Sequence, residues 1–175
     1  EKAEIVLKEM ADLISLDLVS KDLVASGISL YVGYDIDNIK FGEFSGDIKF
    51  DHYGRSVPKS VNKAKRLATP TSSASILIKE FDFLFKEIVN PKLTIRRINI
   101  AVTDLISVVE AQRDKQLDLF ETDQEQEALD KERALQKVTI EIKEKFGKNA
   151  ILRALDYTEG ATTRARNKQI GGHNA

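Results

Sequence analysis

The sequence has no cysteine, and no apolar run approaches the roughly 18 residues that a membrane-spanning helix needs. A disulfide framework, a thiolate metal site and a membrane anchor are therefore not available to it, and a cytoplasmic location is expected. It also lacks an initiator methionine and a basic-then-apolar leader. The opening Glu1-Lys2-Ala3-Glu4 reads instead as part of a longer protein. Catalytic constellations are missing as well. His52 and His173 stand without a cysteine or a paired carboxylate at metal or triad spacing. Asp35 and Asp37 could in principle share a divalent ion, but two carboxylates at a strand end without further ligands read as a turn cap. Gly171-Gly172 does not follow a strand and open a helix, so it is no dinucleotide loop. An enzyme in its own right is the least expected reading.

What is present is enough for one domain and a tail: 175 residues, 42% of them hydrophobic. The net charge of −1 conceals a segregation along the chain. Residues 1–48 hold four Lys/Arg against ten Asp/Glu, and residues 49–97 hold eleven against four. Residues 98–145 hold seven against twelve, and 146–175 hold five against two. Binding to a polyanion responds to local potential, so the second block points to a nucleic-acid face, although a chain this rich in charge also has uneven stretches for no functional reason.

Periodicity predicts a helix over 2–25, either continuous or broken near Ser20, with Val6, Met10, Leu13, Leu16, Val19 and Leu23 on one face and Gly27 ending it. Ile28, Leu30 and Val32 alternate with Ser29, Tyr31 and Gly33, the period-two pattern of a half-buried strand. The glycine-rich stretch from Lys40 to Arg55 suits an irregular loop or weak hairpin. A basic strand led by Pro58 follows over 57–69, then a helix over 73–89 capped by Thr71, Ser72 or Ser73 and stopped by Asn90-Pro91. Residues 93–102 alternate again as a strand that can run on toward Val108. The fold class expected is α+β, with helices packed on one face of a mainly antiparallel sheet and the other face open to a ligand. Beyond Val109 a polar linker precedes a helix over 126–145, with Leu135, Val138, Ile142 and Phe146 at helical spacing and Gly147 as its cap. The last thirty residues lack periodicity and read as a basic, extended tail.

Three stretches resemble the C-terminal part of UmuC-type (ImpB/MucB/SamB) Y-family translesion DNA polymerases of Gram-positive bacteria. They are Asp51-His52-Tyr53-Gly54-Arg55 followed by Pro58-Lys59 and Thr71-Ser72-Ser73; Ile95-Arg96-Arg97-Ile98; and the ending Arg166-Asn167-Lys168-Gln169-Ile170-Gly171-Gly172-His173. The resemblance implies a little-finger DNA-binding domain over 1–110, a linker with a clamp-binding peptide over 111–125, and a C-terminal helix and basic tail over 126–175. It also implies that the catalytic carboxylates, and the Mg that a parent polymerase would use, belong to an upstream palm, so no cofactor is expected in this chain. The family's little finger has a strand ahead of its first helix, whereas this chain opens at that helix. A sheet edge left unpaired in this way implies a strand-exchanged or edge-paired dimer.

Gln116-Leu117-Asp118-Leu119-Phe120 resembles the bacterial clamp-binding pentapeptide. Leu119 and Phe120 would enter an apolar pocket, Gln116 would make oriented amide hydrogen bonds, and the polar flanks give reach. The competing reading is a helical turn that docks Leu117 and Phe120 on the domain itself. Arg55, Lys59, Lys63, Lys65 and Arg66, joined by Arg96 and Arg97, are candidates for phosphate contacts of the kind that track a duplex without reading bases. Backbone amides of Thr71, Ser72 and Ser73 would add neutral donors. In Ile-Arg-Arg-Ile the two arginines point to opposite faces, so one of them is expected to touch DNA. The partners expected are primer-template DNA and the sliding clamp. The alternative function is a stand-alone protein–protein interaction domain that binds no DNA.

Overall fold

The computed structural model describes residues 1–40, 44–115, 123–170 and 173–174. Helix α1 (Lys2–Ser20) leads into strand β1 (Leu23–Tyr34) and a single helical turn, α2 (Asp37–Lys40). A small hairpin of β2 (Ile48–Phe50) and β3 (Ser56–Pro58) follows, then β4 (Val61–Thr71), α3 (Ala74–Ile88) and β5 (Ile95–Ser107). Helices α4 (Val108–Lys115) and α5 (Asp123–Phe146) come next. A 3-10 turn (Ala154–Tyr157), α6 (Thr163–Arg166) and two-residue strands β6 (Gln169–Ile170) and β7 (His173–Asn174) close the chain.

The main sheet has the order β4-β1-β5, with both pairings antiparallel, as the alternating patterns lead one to expect. Ile28, Leu30 and Val32 point from the central strand into a core completed by Leu7, Ala11 and Leu18 of α1 and by Leu77, Phe81 and Leu84 of α3. Both helices cover this one face, so the fold is α+β with helices on one side of an antiparallel sheet. The outer edge of β5 has no strand beside it among the described residues.

Helix α3 begins where its cap was expected. Ser73 is extended, and its hydroxyl accepts the Ile76 amide at 3.2 Å. The first helix is shorter than its periodicity suggested. It stops at Ser20, the chain turns through Asp22 at a φ of 50°, and β1 is already running at Leu23. Gly27 therefore does not end a helix but sits inside the central strand, between Arg66 and Thr103 on its neighbours. A Cβ there would collide with the Thr103 hydroxyl, so the close approach of β5 requires glycine.

The C-terminal third packs against the domain. Gln136 of α5 is buried and donates to the Ser72 carbonyl at 3.2 Å and to the Ser15 hydroxyl, which itself donates to the Ser72 carbonyl at 2.8 Å. Arg133 reaches the Ser72 hydroxyl at 3.1 Å and Asp22 at 2.9 Å. This polar face of α5 meets the domain, whereas Leu135, Val138 and Phe146 of the expected apolar stripe are exposed.

The segment read as an extended tail instead folds back along α1. Glu9 accepts the amides of Thr162 and Thr163 at 2.9 Å, the Thr162 hydroxyl at 2.9 Å and the Arg166 guanidinium at 3.0 Å. Arg153 pairs with Asp12 at 2.6 Å. Helix α1 is thus covered on both sides: Leu7, Ala11 and Leu18 enter the core, whereas Val6, Met10, Leu13 and Leu16 of the stripe expected from the sequence are only partly buried. Among the described residues no helix is long and apolar enough to cross a membrane.

Candidate nucleic-acid interface

Strand register decides which basic side chains can meet a ligand, because side chains directly opposite one another share a face. Lys65 lies opposite Ile28 and Lys63 opposite Leu30, so both lysines share the helix side of the sheet with core residues. They pair there with Glu80 and Glu87 of α3. Arg66 lies opposite Gly27 and Arg97 opposite Gly33, both on the side that no described helix covers. Neither arginine pairs with an acid among the described residues. Arg96 turns the other way, 3.9 Å from Asp35.

The open face is otherwise flat. Across it run Gly27, Ser29, Tyr31 and Gly33 of β1, Asn62 and Ala64 of β4, and Asn99, Ala101 and Thr103 of β5. Small side chains let a polyanion's backbone come close to the sheet, and the asparagine amides and hydroxyls supply neutral donors. Asn62 and Asn99 flank Tyr31 on its two neighbouring strands.

The hairpin of β2 and β3 stands at one end of this face, and its tip is held by one carboxylate. Asp51 accepts the amides of Tyr53 and Arg55 at 2.9 and 3.0 Å, and the Arg55 side chain at 2.8 Å. Gly54 makes the turn at a φ of +73°, where glycine carries no steric cost. The Arg55 hydrogen bonds hold the Asp51 carboxyl below its ordinary range. The guanidinium also lies 5.0 Å over the Tyr53 ring, which meets the His52 ring edge-on. At the hairpin's base Lys59 pairs with Asp47 at 3.1 Å, while Lys49 reaches the Ser60 hydroxyl and lies 5.7 Å over the Tyr31 ring. A hydrogen bond with Ser60 and the charges of Lys49 and Arg97 keep the Tyr31 phenol below its usual pKa.

Between hairpin and sheet lies a groove of about 670 Å³, with Arg55, Arg96, Arg97 and Lys49 on its walls. It brings together three of the sequence-predicted arginines. Lys59, Lys63 and Lys65 are engaged elsewhere. Thr71, Ser72 and Ser73 are buried, and their corner is occupied by Glu132 of α5, which accepts the Ser73 hydroxyl at 2.6 Å and the Ser75 amide at 2.9 Å. Asp35 accepts the Asp37 amide at 3.0 Å, the turn cap expected there, and no cluster of potential metal ligands occurs among the described residues. Gln116, Leu117, Asp118, Leu119 and Phe120 lie outside the described residues, between α4 and α5.

Charge counting does not pick out Tyr31, Lys49, Asn62 or Asn99. The two asparagines could have been found from strand alternation alone, since each is an odd step from a core residue. Lys49 and Tyr31 could not, because the hairpin's position over the sheet leaves no periodic trace.

The profile of the impB/mucB/samB family C-terminal domain matches residues 1–119. The chain is also similar to the "Putative UV-damage repair protein UvrX" of Bacillus subtilis (strain 168), at 28% identity over 173 residues. That alignment takes in 99% of this chain and 35% of the relative, so the chain spans about a third of the length of the curated protein it matches.

Proposed function

We propose, since this chain belongs to the impB/mucB/samB family through its C-terminal domain, that it is the non-catalytic DNA-gripping module of a Y-family translesion polymerase. The observation that carries the reading is the sheet face that no described helix covers, where Arg66 and Arg97, without an acidic partner among the described residues, stand among glycine, serine, alanine and asparagine. A face of this kind suits phosphate contact without base reading, which a module that follows damaged as well as intact duplex requires. The chemistry of nucleotide addition belongs to parts of the protein outside this chain.

Duplex binding measured by fluorescence anisotropy across a salt series tests this. Four cations at the interface (Arg55, Arg66, Arg97 and Lys49) give an expected slope of log affinity against log salt of roughly −4. A salt-insensitive or absent interaction would sink the DNA reading and favour a protein-binding module, for which the exposed Leu135, Val138 and Phe146 of α5 would be the natural surface.

We propose further that residues 116–120 tether the module to the sliding clamp. A short linear peptide of this kind should hold on the order of micromolar, about −8 kcal/mol. Calorimetric titration into the clamp of the same bacterium should show this binding, and Leu119→Ala/Phe120→Ala should abolish it with folding unchanged. Undiminished binding by the variant would rule the peptide out as the tether.

A further inference from the structure

We infer that the groove between the hairpin and the sheet binds unpaired nucleotides, seating single-stranded bases on the rings of Phe50 and Tyr53. This rests on the nucleic-acid reading above and adds a substrate class to it. The open sheet face suits duplex, whose bases are stacked on one another and present no ring face to a protein. Exposed aromatic rings beside a cationic groove gain nothing from duplex but can stack any base that has left its partner.

Phe50 and Tyr53 are 74% and 77% exposed, among the most exposed large side chains of the domain, and both line the groove. Neither serves the core. The tip nevertheless fixes Tyr53 in place. Asp51 accepts its amide and that of Arg55, and the Arg55 guanidinium covers the Tyr53 ring at 5.0 Å. Fixing an exposed ring beforehand removes an ordering cost that a binding partner would otherwise have to meet.

The groove's charge selects the partner. Among the described residues four cations line it, Lys49, Arg55, Arg96 and Arg97, against Asp51 as the one lining acid, and Asp51 is itself committed to Arg55. An anionic chain with flat, apolar faces meets both demands, and a volume near 670 Å³ is room for more than one nucleotide. The groove also opens onto Arg97, which belongs equally to the sheet face, so a strand leaving a duplex on that face would enter it directly.

The test uses three probes of equal length with the whole chain: a thymidine oligonucleotide, an abasic strand with the same phosphates, and a duplex. Stacking predicts tighter binding to thymidine than to the abasic strand, by about tenfold for each base seated. Phe50→Ala/Tyr53→Ala should erase that difference and leave duplex affinity within twofold. Equal affinity for the thymidine and abasic strands, with duplex binding intact, would overturn the inference while leaving the proposed function standing. Failure of all three probes to bind would overturn both. A loss that falls equally on duplex and single strand would also count against it, because the rings would then be shaping the hairpin and not receiving bases. Circular dichroism of the double variant checks that the fold is retained.

Discussion

Replacing Glu9 with alanine is expected to release residues 154–168 from the domain while leaving the sheet folded. The carboxylate is buried, and both its oxygens are occupied by the Thr162 amide and hydroxyl, the Thr163 amide and the Arg166 guanidinium. Its removal strands the buried Thr163 amide and the partly buried Thr162 amide and takes the acid from the Arg166 guanidinium, a loss of about 3 kcal/mol. The result should be local. Amide hydrogen exchange at Thr162 and Thr163 should accelerate by about two orders of magnitude, while amides of β1 keep their protection. Unchanged exchange at these two positions would show that the segment is held by something else.

The same carboxylate gives the contact a pH dependence whose sign follows from its surroundings. Burial by itself would raise the Glu9 pKa, but the hydrogen bonds from Thr163 and Thr162 outweigh it and hold the group below the ordinary glutamate value. A depressed folded-state pKa means that the stabilisation is complete above the unfolded value, about 4.3, and is lost as pH falls through the lower folded value. The docked segment should therefore be secure at neutral pH and loosen only in acid. Glu9→Gln, which removes the titration, should flatten that profile.

Opposite faces of the sheet should respond differently to the loss of charge. Arg66→Ala/Arg97→Ala removes two cations from the open face, so the salt slope of duplex binding should fall by roughly two units and affinity by about a hundredfold near 0.1 M salt. Lys63→Ala/Lys65→Ala removes the same charge from the adjacent positions of β4, yet these lysines face Glu87 and Glu80 on the helix side. That variant should bind duplex with nearly the original slope. It should cost little stability as well, since half-exposed ion pairs contribute at most about 1 kcal/mol each. Equal losses in the two variants would mean that the DNA does not read the sheet from one side.

This facial division was available in the sequence. Leu67 belongs to the core, and Lys65 and Lys63 are two and four residues before it, so period-two alternation places them together and sets Arg66 apart. The same rule separated Arg96 from Arg97. The core of α3 and the alternation of β1 and β5 were equally legible, because burial on one face writes a regular pattern. Gly27 misled because a glycine after a helical run usually marks an end, whereas here it answers to a hydroxyl on the neighbouring strand. Helix α5 was legible as a helix but not in its orientation. It docks through Gln136, Arg133 and Glu132, and polar contacts of that kind leave no hydrophobic period. The fold-back of the last residues was illegible for the same reason: its anchor is a glutamate more than 150 residues away.

That separation has a consequence for how the molecule comes into being. The sheet is complete once Ser107 has been made, and its strands lie close enough in the chain to pair early. Arg166 follows Glu9 by 157 residues, so a ribosome must have nearly finished this stretch before the two can meet. Domains form as units while synthesis continues, and the closure of so long a loop rewards nothing until its last contact is made. The glutamate on the first helix therefore waits in a folded domain for a partner not yet translated, and the loop between them closes last.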